Sequence, residues 1–404
     1  RDYQAVDRLI EQRFDRRNAD CLFIFGHHDV VPHATYPNPT HGVMGDNDAE
    51  IFSDDPYADF DHDAHQDPEI MIARMPDDPA ILADPNSTMY RSSATSQRMV
   101  LADYAVYGNR NRSSPPLLAQ VANPNNSALL QRSTPMNGES FQASFFNGHN
   151  VLINMHGGDD PSLSGVYWGE EEGGKQIVAM TADHARASDA VVLSCACWGG
   201  STINVSPDGT VVPKSSDNHV GLRFLRNGAA AFIGYTKITW QAVAADALQQ
   251  AEGLAAKRLI ELTRQGQSPQ KAFQNVKREM ARLLDTRDAM FRKMHHQMIY
   301  LGLPPTGSRS VQPVPTPDRP ATLKTQLVRV LEQASQAADR RNVDELASLM
   351  TPVVRDGVDP EGPTRDARTR AQDVVDLFQR SQAPNPLADK DALSQRLFLI
   401  EQQG

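Results

Sequence analysis

The chain has 404 residues, 40% of them hydrophobic, with 40 basic and 50 acidic side chains and a net charge of −10. That length holds roughly two to three domain-sized units. The acidic balance, with no basic patch, excludes a nucleic-acid partner, and no apolar run approaches the roughly 20 residues of a membrane helix. Three cysteines, two of them Cys195 and Cys197, make no disulfide framework. The chain opens at Arg1 straight into a helical pattern with no leader pattern, as a fragment or processed form would.

In chain order, Val6, Leu9, Ile10 and Phe14 predict a helix over 2–17, and Cys21–Phe25 reads as a buried strand closed by Gly26. Residues 33–68, rich in Asp, Pro, Asn and His, read as a long loop. Strands are predicted at 69–74 and 116–121, with a helix over about 92–107 between them. A weak helix leads to a strand at 150–155, and a helical stretch at 179–187 to a strand at 190–195. A helix at 217–227 and a strand at 229–234 follow, then helix through about 301. A Pro-rich linker and an amphipathic, charged tail close the chain. Alternating strands and helices predict an α/β fold: a mainly parallel sheet flanked by helices, in two subdomains (1–125 and 126–305), with a helical appendage (306–404). The tail is expected to offer a surface for another protein.

Two apolar runs end in reactive side chains. Val151–Met155 stops at His156-Gly157-Gly158, and Ala190–Ser194 leads to Cys195-Ala196-Cys197-Trp198-Gly199-Gly200. In a parallel sheet, chemistry gathers at the carboxyl ends of strands, so His156 and Cys197 are candidates for a thiol–imidazole dyad. Cys195 still belongs to the apolar run and reads as core packing. Cys197 falls where the run stops. The N–H groups of Gly157 and Cys197 are candidate donors to an oxyanion. Taken singly, a strand-end cysteine is usually core and a His before two glycines is usually a turn residue; the pairing favours chemistry.

The acidic segment 54–67 holds Asp59, Asp61 and Asp63 at the alternating spacing that wraps oxygen ligands around calcium; a solvated loop explains it equally well. Asp54 or Asp55 is a candidate for orienting His156.

These motifs, taken in order, resemble the gingipain family of the caspase, legumain, clostripain and gingipain clan of cysteine peptidases. The resemblance rests on the two strand ends with Ala196-Cys197-Trp198-Gly199, and on Leu22–Gly26, Val30-Val31-Pro32, Ser53-Asp54-Asp55-Pro56-Tyr57 and Ile70–Pro76. Trp168-Gly169, Gly228–Thr236 and Trp240 extend it over about residues 20–305. It implies a caspase-like fold, peptide-bond hydrolysis by Cys197 and His156 on a protein or peptide substrate, and no cofactor for the chemistry. It also implies structural calcium and a secreted or surface location, and it leaves the P1 preference open, a basic residue being one choice. Tyr235, Thr236, Trp168 and Trp240 fall on the substrate side of the pattern, with Trp240 as pocket wall. The chain departs from the family with Gly26-His27 for Gly-Asp, Ala73-Arg74 for Gly-Arg, and the extra Cys195.

Two other readings compete. Gly26-His27-His28-Asp29-Val30-Val31-Pro32 resembles the zinc motif of two-zinc aminoacylases and carboxypeptidases, but no bridging Asp segment follows and Glu170-Glu171-Glu172 is too distant. A catalytically inactive caspase-like binding module is the other.

Overall fold

The computed structural model describes residues 3–13, 20–43, 45–61, 68–90, 103–158, 165–205, 210–240, 247–249, 251–284 and 287–303. The linker, the tail, Asp63 and most of the helix expected at 92–107 lie outside the described residues.

An eight-stranded sheet runs through them in the order β1 (Cys21–Phe25), β4 (Met71–Met75), β14 (Met298–Gly302), β13 (Ala231–Tyr235), β10 (Val191–Ser194), β7 (Asn150–Asn154), β5 (Tyr104–Asn109), β6 (Leu130–Ser133). The pairs from β13 through β6 are parallel, as is β1 with β4, while β14 runs antiparallel to β13. Three hairpins decorate this sheet: β2 (Ala34–Pro37) with β3 (Glu50–Ser53), β8 (Val166–Glu170) with β9 (Gln176–Thr181), and β11 (Ile203–Val205) with β12 (Val211–Pro213).

Strand alternation sends successive side chains to opposite faces, and each face has its own core. On one side Tyr104, Val106, Leu152, Val191, Leu193 and Ile233 pack against helices α3 (Ser114–Ala122), α5 (Ala251–Arg264), α6 (Pro269–Ala281) and α7 (Ala289–Gln297). On the other, Ala105, Tyr107, Val151, Ile153, Val192 and Phe232 meet α2 (Pro79–Ala83) and α4 (Val220–Arg226). The N-terminal helix α1 (Tyr3–Arg13) lays Tyr3, Val6 and Ile10 on the first core. The chain is therefore α/β, with a mostly parallel sheet covered by helices on both faces, consistent with a caspase-like arrangement.

Several local expectations are corrected. Residues 104–109 form β5 rather than the end of a helix, because this strand is buried on both faces between β6 and β7 and so shows no alternation. The strand expected at 116–121 is instead α3, whose Pro115 and Pro116 lie in the first turn, where a missing N–H costs nothing. Residues 176–181 pair with β8 as a strand, and only a short 3-10 turn, Ala182–His184, follows. The apolar run Met298–Gly302 leaves the helical region and enters the sheet as β14. The loop at 33–68 contains the β2–β3 hairpin.

Candidate active site

Parallel pairing sets the site. Ser194 lies opposite Ile153, and the Cys195 N–H donates to the Ile153 carbonyl at 2.8 Å. Two residues further on, Cys197 falls beside His156-Gly157. A Cβ built on Gly157 would sit 2.0 Å from the Cys197 carbonyl oxygen, so only glycine admits this approach of the two strand ends. The loop after Cys197 is equally tight, since a Cβ on Gly200 would meet the Gly234 carbonyl carbon at 2.8 Å.

His156 is half-buried and held at both ring nitrogens. Arg112 donates to Nδ1 at 3.2 Å, which makes Nδ1 the acceptor nitrogen, and Nε2–H donates to Glu170 Oε1 at 2.9 Å. The ring therefore carries its proton on the Glu170 side. Antiparallel backbone bonds between His156 and Trp168, 2.9 and 3.0 Å, fix this relation, because they bring β8 and hence Glu170 alongside the end of β7. Burial, and then the Arg112 charge, hold the imidazole below its usual range against the opposing pull of Glu170. Burial pushes Glu170 up, but hydrogen bonds from Asn111 and His156 outweigh it and hold the carboxyl low. Arg112 also donates to Asn154 Oδ1 at 2.9 Å, and Asn154 in turn donates to Ser114 and Glu252 beneath the site.

Cys197 is half-buried, and its Sγ lies 3.4 Å from Thr239 Oγ1 and accepts from the Thr239 N–H at 3.2 Å. Trp198 follows with φ 53°, a left-handed turn that ends the strand direction. The N–H groups of Trp198, Gly199 and Gly200 are spent on Lys237, Ala196 and Tyr235 carbonyls. Among the described residues those of Gly157 and Cys197 have no protein acceptor, as donors kept for an oxyanion would be. Cys195 is fully buried, and burial and then Glu252 push its thiol far up, which suits packing rather than attack.

Other expected site residues fall elsewhere. Neither Asp54 nor Asp55 orients His156. Asp54 is buried, takes a two-pronged bond from Arg74 (2.6 and 2.9 Å), and accepts from His33 Nδ1 at 2.8 Å. Asp55 pairs with Lys277 at 2.6 Å. The reason is placement: both follow β3, whereas the end of β7 is flanked by β8 and α3. Tyr235 and Thr236, expected to touch substrate, are each 1% exposed; Tyr235 is core and the Thr236 hydroxyl donates to the Phe52 carbonyl at 2.8 Å. Trp168 and Trp240 are half-buried, Trp168 through its backbone bridge to His156 and Trp240 directly after Thr239. Asp59 and Asp61 do come together, with Glu69, their ligand atoms all within 4.8 Å of one another, while Asp63 lies outside the described residues. The zinc-like motif does not assemble, since the clusters able to hold a metal among the described residues contain neither His27, His28 nor Asp29. His28 Nδ1 instead accepts the His33 N–H at 3.0 Å, within the His33–Asp54 cluster.

Glu170 and Arg112 are the residues that sequence reasoning missed. Glu170 lies in Glu170-Glu171-Glu172, whose neighbours are solvated charges, and nothing but the bridge between His156 and Trp168 selects it. Arg112 follows β5, whose strand character is itself hidden in the sequence.

No protein-family model matches the chain, and no curated protein matches it. Thirteen solved chains do. One of them, described as "Structure of Protease", superimposes with a TM-score of 0.43 at 12% identity, covering 74% of this chain and 68% of that chain.

Proposed function

We propose that the protein is a cysteine endopeptidase in which Cys197 is the nucleophile and His156 the general base and acid. The observation that carries the reading is the seating of Gly157 directly on the Cys197 carbonyl, which puts thiol and imidazole at the ends of adjacent parallel strands. In this reading Nδ1 of His156 accepts the Cys197 proton, and Nε2–H stays on Glu170, which steadies the imidazolium. The thiolate attacks the scissile carbonyl, and the oxyanion takes the N–H groups of Gly157 and Cys197. His156 returns the proton to the leaving amine as the C–N bond breaks, and water then hydrolyses the thioester. Arg112 occupies Nδ1 in the resting arrangement and yields that nitrogen when substrate seats the thiol; catalytic bonds are commonly loose before substrate binds.

The gingipain resemblance, a basic P1 residue, a wall at Trp240, and calcium on Asp59, Asp61 and Glu69 belong to this proposal. The all-oxygen donor set suits a hard cation. The deciding experiment is labelling with an electrophilic peptide together with cleavage of a substrate library with and without calcium. Cys197→Ala should lose both labelling and cleavage, and Cys195→Ala should keep most of each; label on Cys195 would overturn the assignment. Calcium that leaves the melting temperature unchanged removes the cation from the proposal.

A second reading, an inactive binding module, is favoured by one feature: both nitrogens of His156 and the Cys197 thiol already have partners. Absence of turnover across the library, with tight binding of some member, would decide for it.

A further inference from the structure

Away from the strand ends, the first sheet face carries a group that the proposed chemistry does not use. Asp55, in the short 3-10 turn Asp55–Ala58, meets His295 and His296 at the end of α7, one ligand atom from each lying within 4.8 Å of the others. Asp55 and His295 are 1% and 0% exposed. His295 Nε2 lies 3.1 Å from the Lys277 carbonyl, so this nitrogen carries the proton and donates it. Nδ1 is then the lone-pair nitrogen. An imidazole whose other N–H is anchored on a backbone carbonyl is the arrangement that metal ligands adopt. Tyr36 covers the group, its ring stacked on His296 at 5.0 Å between centroids. The Tyr36 hydroxyl oxygen is buried with no hydrogen-bond partner among the described residues.

We propose that Asp55, His295 and His296 form a binding site for a first-row divalent transition metal of the zinc class, with the Tyr36 hydroxyl as its fourth neighbour. Two imidazoles and one carboxylate favour zinc, cobalt, nickel or copper over calcium or magnesium. The Lys277 ammonium, 2.6 Å from Asp55 Oδ2 and also bonded to the His295 and Met298 carbonyls, remains as a partner of the carboxylate. The role is structural: the metal ties the β2–β3 segment to α7 and, two residues on, to β14 in the sheet. The site is independent of the peptidase reading.

The test is zinc titration of the full chain carrying Cys21→Ser and Cys197→Ala, to remove the two partly exposed thiols, in excess calcium. Calorimetry and thermal melting should show one zinc equivalent and a rise of several degrees. His296→Gln, at a half-buried position, should weaken binding about 100-fold or more, and Asp55→Asn likewise, while Asp61→Asn should leave it unchanged. Cobalt in place of zinc should give visible absorption that His296→Gln abolishes. No zinc binding by the parent chain, or binding and cobalt absorption unaffected by His296→Gln, would overturn the site. A folded Asp55→Asn that binds zinc as the parent does would remove Asp55 from it.

Discussion

Two histidine–carboxylate–arginine groups stand beside the loop that carries Cys197, and they differ in how the arginine is used. In His33–Asp54–Arg74 the arginine grips the carboxylate, and the histidine reaches the Thr202 hydroxyl at 3.3 Å; all four side chains are buried. In His156–Glu170–Arg112 the arginine bonds the imidazole, not the carboxylate, and the histidine is half-buried. Thr202 lies five residues after Cys197, so the first group braces the loop that carries Cys197. The second keeps a lone pair and a proton on opposite sides of one ring. The same three residue types thus give a brace where burial is complete and, in the proposed reading, a base where one face is open.

The comparison breaks most sharply at the thiol. Cys197→Ala should lower kcat/KM on a cleaved peptide by about 10⁶-fold, as loss of a nucleophile does elsewhere, with the melting temperature nearly unchanged. Arg74→Met should act the other way round, costing about 3–5 kcal/mol because the buried Asp54 charge loses its counter-ion. Urea denaturation measures it, and a cost below 1 kcal/mol would contradict the brace. Glu170→Gln should lower kcat about 10–100-fold, a loss of roughly 1.4–2.7 kcal/mol in transition-state stabilisation. Its stability effect should be small, since Glu170 is partly exposed. Because Glu170 raises the His156 pKa, this variant should move the acid limb of kcat/KM to lower pH, and Arg112→Met should move it to higher pH. A profile that moves with neither variant would detach His156 from the rate.

The smallest effect is on acid stability. Burial pushes Asp54 up, but the Arg74 and His33 charges outweigh it and hold the carboxyl well below the usual range. Its folded value therefore lies below its unfolded value, so its stabilisation is present above the unfolded value and is lost as pH falls through the folded one. Asp54→Asn should flatten the drop of melting temperature in strong acid, while Glu170→Gln should alter it less.

Composition and hydropathy alone settle the fold class and the nature of the strand ends. Apolar runs of strand length broken by Gly, at Val151–Gly157 and Ala190–Gly199, need no partner to be recognised, because burial on both faces and a turn requirement are local properties. The difference between Cys195 and Cys197 is legible for the same reason, one inside its run and one past it. Tertiary structure alone decides which carboxylate faces His156. Asp54 and Asp55 are as suitable chemically as Glu170, but the bridge between His156, just past β7, and Trp168 in β8 selects the last, and such a bridge is a long-range contact that no local pattern carries. The same holds for β5 and α3, where two-sided burial and a proline-opened helix each imitate the other element. It holds again for Asp55 and the His295-His296 pair, 240 residues apart in the chain and joined only when α7 delivers β14 to the sheet.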